Sequence, residues 1–105
     1  MTADLHIQFE WDFEKEESNI AKHKLTFSEA CHAFTDIFQL NLFDEDHSED
    51  EDRWIVIGEI PVMKIIVVVH TIKHTQNSDD SRIRIISARK ATKKEREVYF
   101  ARRPK

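Results

Sequence analysis

The chain has 105 residues, 40% of them hydrophobic and seven of them phenylalanine, so one folded domain over 1–105 is expected and disorder is excluded. Its net charge of −4 hides a division: residues 1–52 hold 15 acids against three Lys/Arg, and residues 53–105 hold five against 13. Overall charge therefore does not steer the protein to nucleic acid, whereas the C-terminal half read alone could be drawn to it, or the two halves could simply lie against each other.

Ile7–Trp11 alternates apolar and polar residues and predicts a short strand. Asp12 then suits a helix N-cap, with Glu14, Glu16 and Glu17 in the first turns and Lys22, His23 and Lys24 at the far end, as the helix dipole favours. That predicts a helix over 13–24, with Phe13, Ile20 and Lys24 on one face. Thr26-Phe-Ser-Glu29 fits a capping box, and Phe27, Ala30, Cys31 and Phe34 form one apolar stripe, predicting a second helix over 27–35. Cys31 lies on that stripe and reads as a buried, inert thiol. As the only cysteine it excludes an internal disulfide and fits a reducing cytosol.

Phe38–Phe43 and Trp54–Ile57 read as strands, the latter ended by the single glycine, Gly58, and by Pro61. Met63–Ile72 is the most apolar segment and reads as a central strand. Its run Ile65–Val69 is far short of the roughly 20 residues of a membrane span, and the N-terminus lacks the pattern of a signal peptide. Lys73–Ser81 reads as a hairpin loop, Arg82–Ala88 as the last strand, and Thr92-Lys-Lys-Glu95 as a second capping box opening a helix over 93–102. Sequential strands with short polar connections imply antiparallel pairing under packed helices, an α+β fold.

The acidic stretch Asp44–Asp52 fails as a calcium loop, because Glu49 stands where a glycine is needed and Ile55 where a glutamate is needed. No His/Cys spacing resembles a zinc site, and no cofactor is implied. His47 within it is a candidate proton carrier, favoured as imidazolium by flanking carboxylates. Trp54 reads as core or as a stacking platform for a base. In the last strand, alternation places Arg82, Arg84, Ile86 and Ala88 on one face, and it leaves the direction of Arg89 open. A mid-strand arginine is costly unless paired or facing a cleft. Two readings of Arg84 stand: an ion pair with an N-terminal acid, or a bidentate clamp on phosphate.

FEWD at 9–12, HKLTFSEA at 23–30, D-x-D-H-S at 44–48, Arg53-Trp54, Ile57-Gly58, V-V-V-x-T at 67–71 and RIRIISARKAT at 82–92, with Glu95, Arg96 and Tyr99, resemble the BrnT family of bacterial type II toxins over about residues 7–100. The resemblance implies a RelE-like α+β fold: an antiparallel sheet of about four to five strands, two N-terminal helices and one C-terminal helix. It implies a cytoplasmic, metal-independent ribonuclease that blocks translation by cutting RNA, free or ribosome-bound. It also implies a BrnA-type antitoxin, a ribbon-helix-helix DNA-binding protein, with DNA contacted only through that partner. Carried over by position, the site residues are His47, Arg53, Trp54, Arg84, Arg89 and Tyr99. The chain departs from the family at His70, where members often carry an aromatic such as tyrosine, in its longer Lys73–Ser81 hairpin, and in its acidic net charge. The rival reading is a non-catalytic module that partners a DNA-binding protein.

Overall fold

In the computed structural model, residues 6–47, 51–74 and 80–103 are described. Ser48 and residues 75–79, the middle of the expected hairpin loop, lie outside them. The elements are β1 (His6–Trp11), α1 (Phe13–His23), α2 (Phe27–Ala30), β2 (Leu40–Phe43), β3 (Arg53–Ile60), β4 (Lys64–His74), β5 (Asp80–Lys90) and α3 (Lys93–Arg102). The expected second helix is split. After one α-turn the chain tightens into a 3₁₀ helix over Cys31–Thr35, which ends where Asp36 turns extended.

The five strands form one sheet in the order β1-β5-β4-β3-β2. β2 through β5 pair antiparallel, as short connections require. β1 joins β5 in parallel, so the sheet is mixed. The long connection that parallel pairing demands is the chain from α1 onward, which crosses one face of the sheet before β2 begins at the opposite edge. Leu25, Phe27, Ala30 and Ala33 bury against Val56, Val68, Ile83, Ile85 and Ala88 on that face. On the other face, Tyr99 of α3 packs with Ile57, Ile65 and Val67. We call these the α1 face and the α3 face.

Both capping boxes form. Thr26 and Thr92 accept from the amides of Glu29 and Glu95, whose carboxylates return the bond. The first helix is held differently from its apolar pattern. Phe13 and Ile20 remain exposed, and Asn19 is the residue that α1 buries. Its amide nitrogen donates to the carbonyls of Leu25 (3.1 Å) and Ala88 (2.9 Å), and its oxygen accepts from the Ala88 N–H (3.0 Å). Cys31 is half-buried. Its thiol donates to the Phe27 carbonyl, and burial pushes it up from its ordinary pKa, so it stays protonated. His70 is fully buried with its ring edge-on to Phe34 at 4.8 Å, and burial lowers its pKa. The imidazole thus packs as an aromatic ring in the core.

Gly58 does not end β3, which continues to Ile60. It lets the 3₁₀ turn approach: a Cβ at 58 would stand 2.7 Å from the Ala33 carbonyl oxygen and 3.2 Å from the Ala33 Cβ. Gly58→Ala is therefore expected to destabilise the fold by about 1–3 kcal/mol, read from urea denaturation. A wild-type midpoint would contradict this packing.

Candidate active site

Direct partners in a sheet share a face, so the register assembles the site. Arg53 pairs with Thr71, Thr71 with Arg84, and Arg84 with Glu10, giving a row across four neighbouring strands. The next row outward is Lys73, Arg82 and Gln8. Both rows lie on the α3 face but beyond the end that α3 covers.

Strict alternation cannot put Arg84 and Arg89 on the same face, since they are five residues apart. Between them the ladder slips: Val69 pairs with Ser87 and His70 with Ile85, leaving Ile86 as an extra residue. This bulge reverses the alternation. Ala88 joins Ile83 and Ile85 in the core of the α1 face, and Arg89, opposite Val67, returns to the face of Arg84.

Sharing a face does not leave both arginines equally available. Arg84 is about half exposed, and Glu51 of the acidic loop is hydrogen-bonded to its guanidinium. Both partners are solvated, so the pair contributes only about 0–1 kcal/mol, and an incoming anion can replace the carboxylate. Arg89 instead makes a two-pronged contact with both oxygens of Glu95, at 2.7 and 2.9 Å. Glu95 also serves the α3 capping box, through the Thr92 N–H at 2.8 Å. The Arg89 hydrogen bonds overcome partial burial and lower the Glu95 carboxyl to about 2. Arg89 thereby ties β5 to the start of α3.

Tyr99 is wholly buried, and its hydroxyl donates to Asp36 at 2.5 Å. Asp36 also accepts from the amides of Glu59 and Phe38; burial raises its carboxyl, but the Tyr99 hydroxyl and then these two amides bring it below the ordinary value. Burial, with the Asp36 carboxylate, pushes the Tyr99 phenol well above its ordinary value. A phenol so held keeps its proton and pins α3 to the loop before β2.

His47 is exposed on a short turn over Glu45–His47, with Nδ1 3.1 Å from Asp44. Asp44 in turn donates its backbone N–H to the Arg53 carbonyl at 2.9 Å, which ties the foot of the acidic loop to the arginine row. Trp54 is paired with His70 and so faces the α1 side, edge-on to Phe43 at 5.2 Å. Of the six expected site residues, Arg53, Arg84 and Arg89 share a face and His47 sits on the adjoining loop. Trp54 points to the other face, and Tyr99 is enclosed under α3.

The cleft around Arg84 has a volume of about 270 Å³ and is lined by Glu10, Glu51, Asp52, Thr71, Ile72, Lys73, Arg82 and Arg84. Sequence reasoning missed Glu10, Thr71 and Lys73, because only strand pairing brings them to Arg84. The alternation in β1 did place Glu10 on its polar face. Among the described residues, no group of three His, Cys, Asp or Glu could hold a metal ion, and no helix is long and apolar enough to cross a membrane.

A known protein shares this fold. A crystal structure of the Brucella abortus ribonuclease toxin BrnT superposes with a TM-score of 0.54 and 26% identity, over 84% of this chain and 99% of that one. No curated protein sequence matches. The family model described as the ribonuclease toxin BrnT of type II toxin–antitoxin systems matches residues 11–95, and the chain belongs to that family of ribonuclease toxins, which act with a cognate antitoxin.

Proposed function

We propose that this chain is a RelE-like, metal-independent endoribonuclease that arrests translation by cutting RNA in the cytoplasm. Its 105 residues act as one domain, and a BrnA-type ribbon-helix-helix antitoxin neutralises it. The observation that carries this is the row Arg53–Thr71–Arg84 on an uncovered part of the sheet. Two strand spacings, roughly 10 Å, separate the arginines, within reach of one phosphate held above Thr71. Their guanidinium groups would stabilise the charge that develops on the phosphorane as the 2′-oxygen attacks. His47, on the loop joined to Arg53, is the proton carrier of this scheme. Arg89 and Tyr99 position α3.

Incubation of the purified protein with RNA tests the activity, and cleavage that survives EDTA is expected. Cleavage lost on chelation would overturn metal independence, and none with or without ribosomes would overturn the nuclease. The second reading, a non-catalytic partner of a DNA-binding protein, draws on a specific observation: Arg84 and Arg89 are both engaged by the chain's own carboxylates. It predicts that absence of cleavage.

A further inference from the structure

The cleft at Arg84 carries almost no net charge, because Glu10, Glu51 and Asp52 offset Lys73, Arg82 and Arg84. The positive surface lies elsewhere. Residues 1–52 contain just three Lys/Arg, namely Lys15, Lys22 and Lys24. All three line two cavities along the seam between α1 and β5, of about 280 and 430 Å³, which share Lys22 and His23. Ile86 and Ser87 of β5 line the first cavity, Arg89, Lys90 and Thr92 line the second, and no carboxylate is among the lining residues of either. Among the described residues none of these lysines is ion-paired, whereas Arg89 of the same seam is held by Glu95 and Arg84 of the cleft by Glu51.

In a protein of net charge −4, a seam that gathers all three Lys/Arg of its acidic half, with no carboxylate among its lining residues, is not an average surface. We propose that the α1–β5 seam is a second phosphate-binding surface, which holds the backbone of the substrate RNA on one side of the cut. The inference rests on the ribonuclease reading and extends it. Lys90 and Arg84 are six residues apart on β5, roughly 15–20 Å with the bulge, a span that a few nucleotides can cross around the β5 edge. β1 stops at Trp11, opposite Ile85, and beyond it α1 meets the β5 edge through Asn19 at Ala88, which leaves the lysines of α1 beside β5. The seam's contacts are to phosphate, so it adds affinity and salt dependence and no sequence preference.

The test is fluorescence anisotropy of a labelled single-stranded RNA of about 12 nucleotides, with a trinucleotide beside it, from roughly 50 to 200 mM salt. The triple substitution Lys22→Gln, Lys24→Gln and Lys90→Gln is expected to weaken the longer RNA at least about tenfold at low salt. It should also flatten the salt slope by about 2, at roughly 0.7 per lost phosphate contact. The trinucleotide should lose much less. Unchanged affinity and slope, an equal loss on the trinucleotide, a loss confined to duplex DNA, or a wild-type protein that binds no RNA would each overturn the seam. Wild-type binding without cleavage would overturn the nuclease while leaving the seam in place, so the two failures are distinguishable. Circular dichroism confirms that the variant folds.

Discussion

Arg84→Ala is expected to lower the single-turnover rate of RNA cleavage by about 10²–10³-fold and to abolish growth arrest, while the protein remains folded. The first part follows from the charge chemistry. Cleavage places extra negative charge on phosphate oxygens, and a preorganised guanidinium that meets it contributes more in the transition state than in the ground state. Arg84 stands beside Thr71 and two strands from Arg53, at the centre of the uncovered rows. The second part follows from exposure. The Arg84–Glu51 pair is about half solvated, so its loss should cost no more than about 1 kcal/mol. Arg84→Lys should recover little, because an ammonium keeps the charge without the two-pronged geometry. An alanine variant with wild-type cleavage would remove the phosphate clamp. One that unfolds would make the residue structural, the reading that an N-terminal ion pair suggested from sequence.

The largest effect on stability belongs to Asn19. β1 pairs with β5 only as far as Ile85, so Ala88 has no strand beside it on that edge. The Asn19 amide stands in for the missing strand, accepting from the Ala88 N–H and donating to its carbonyl, and it donates also to Leu25. Asn19→Ala strands three backbone groups in a buried seam, and a loss of about 2–4 kcal/mol is expected in urea denaturation. Asn19→Asp should fare no better. Its carboxylate can accept from Ala88 but meets two carbonyl oxygens with no hydrogen to offer. A loss under about 0.5 kcal/mol in the alanine variant would show that water replaces the amide and that α1 is held by other contacts.

These two residues mark what was legible and what was not. Arg84 was visible in the sequence because an arginine among alternating isoleucines breaks a local rule, and such breaks concentrate at functional sites. Asn19 raised no signal, because an asparagine inside a polar helix has many harmless explanations. The α1 pattern placed Phe13, Ile20 and Lys24 on one face and gave Asn19 no role, yet Phe13 and Ile20 are exposed and the buried group is Asn19. Arg89 and Glu95 were each singled out in the sequence. Their pairing was hidden because Glu95 already had a task in the capping box, and nothing local requires one carboxylate to perform both.

By itself the sequence determined where the helices start and the order of the elements: the caps at Asp12, Thr26 and Thr92, the alternation that builds β1, and the concentration of Lys and Arg after residue 52. Each is decided by groups within about four residues of one another, where a side chain can meet the backbone or its neighbour on the same face. The tertiary structure alone decided which strands touch, that β1 runs parallel to β5, that an extra residue at Ile86 brings Arg84 and Arg89 to one face, and that the acidic half places its lysines beside β5. Those outcomes depend on pairing between residues tens of positions apart, and a one-residue slip in register would move every side chain to the other side of the sheet.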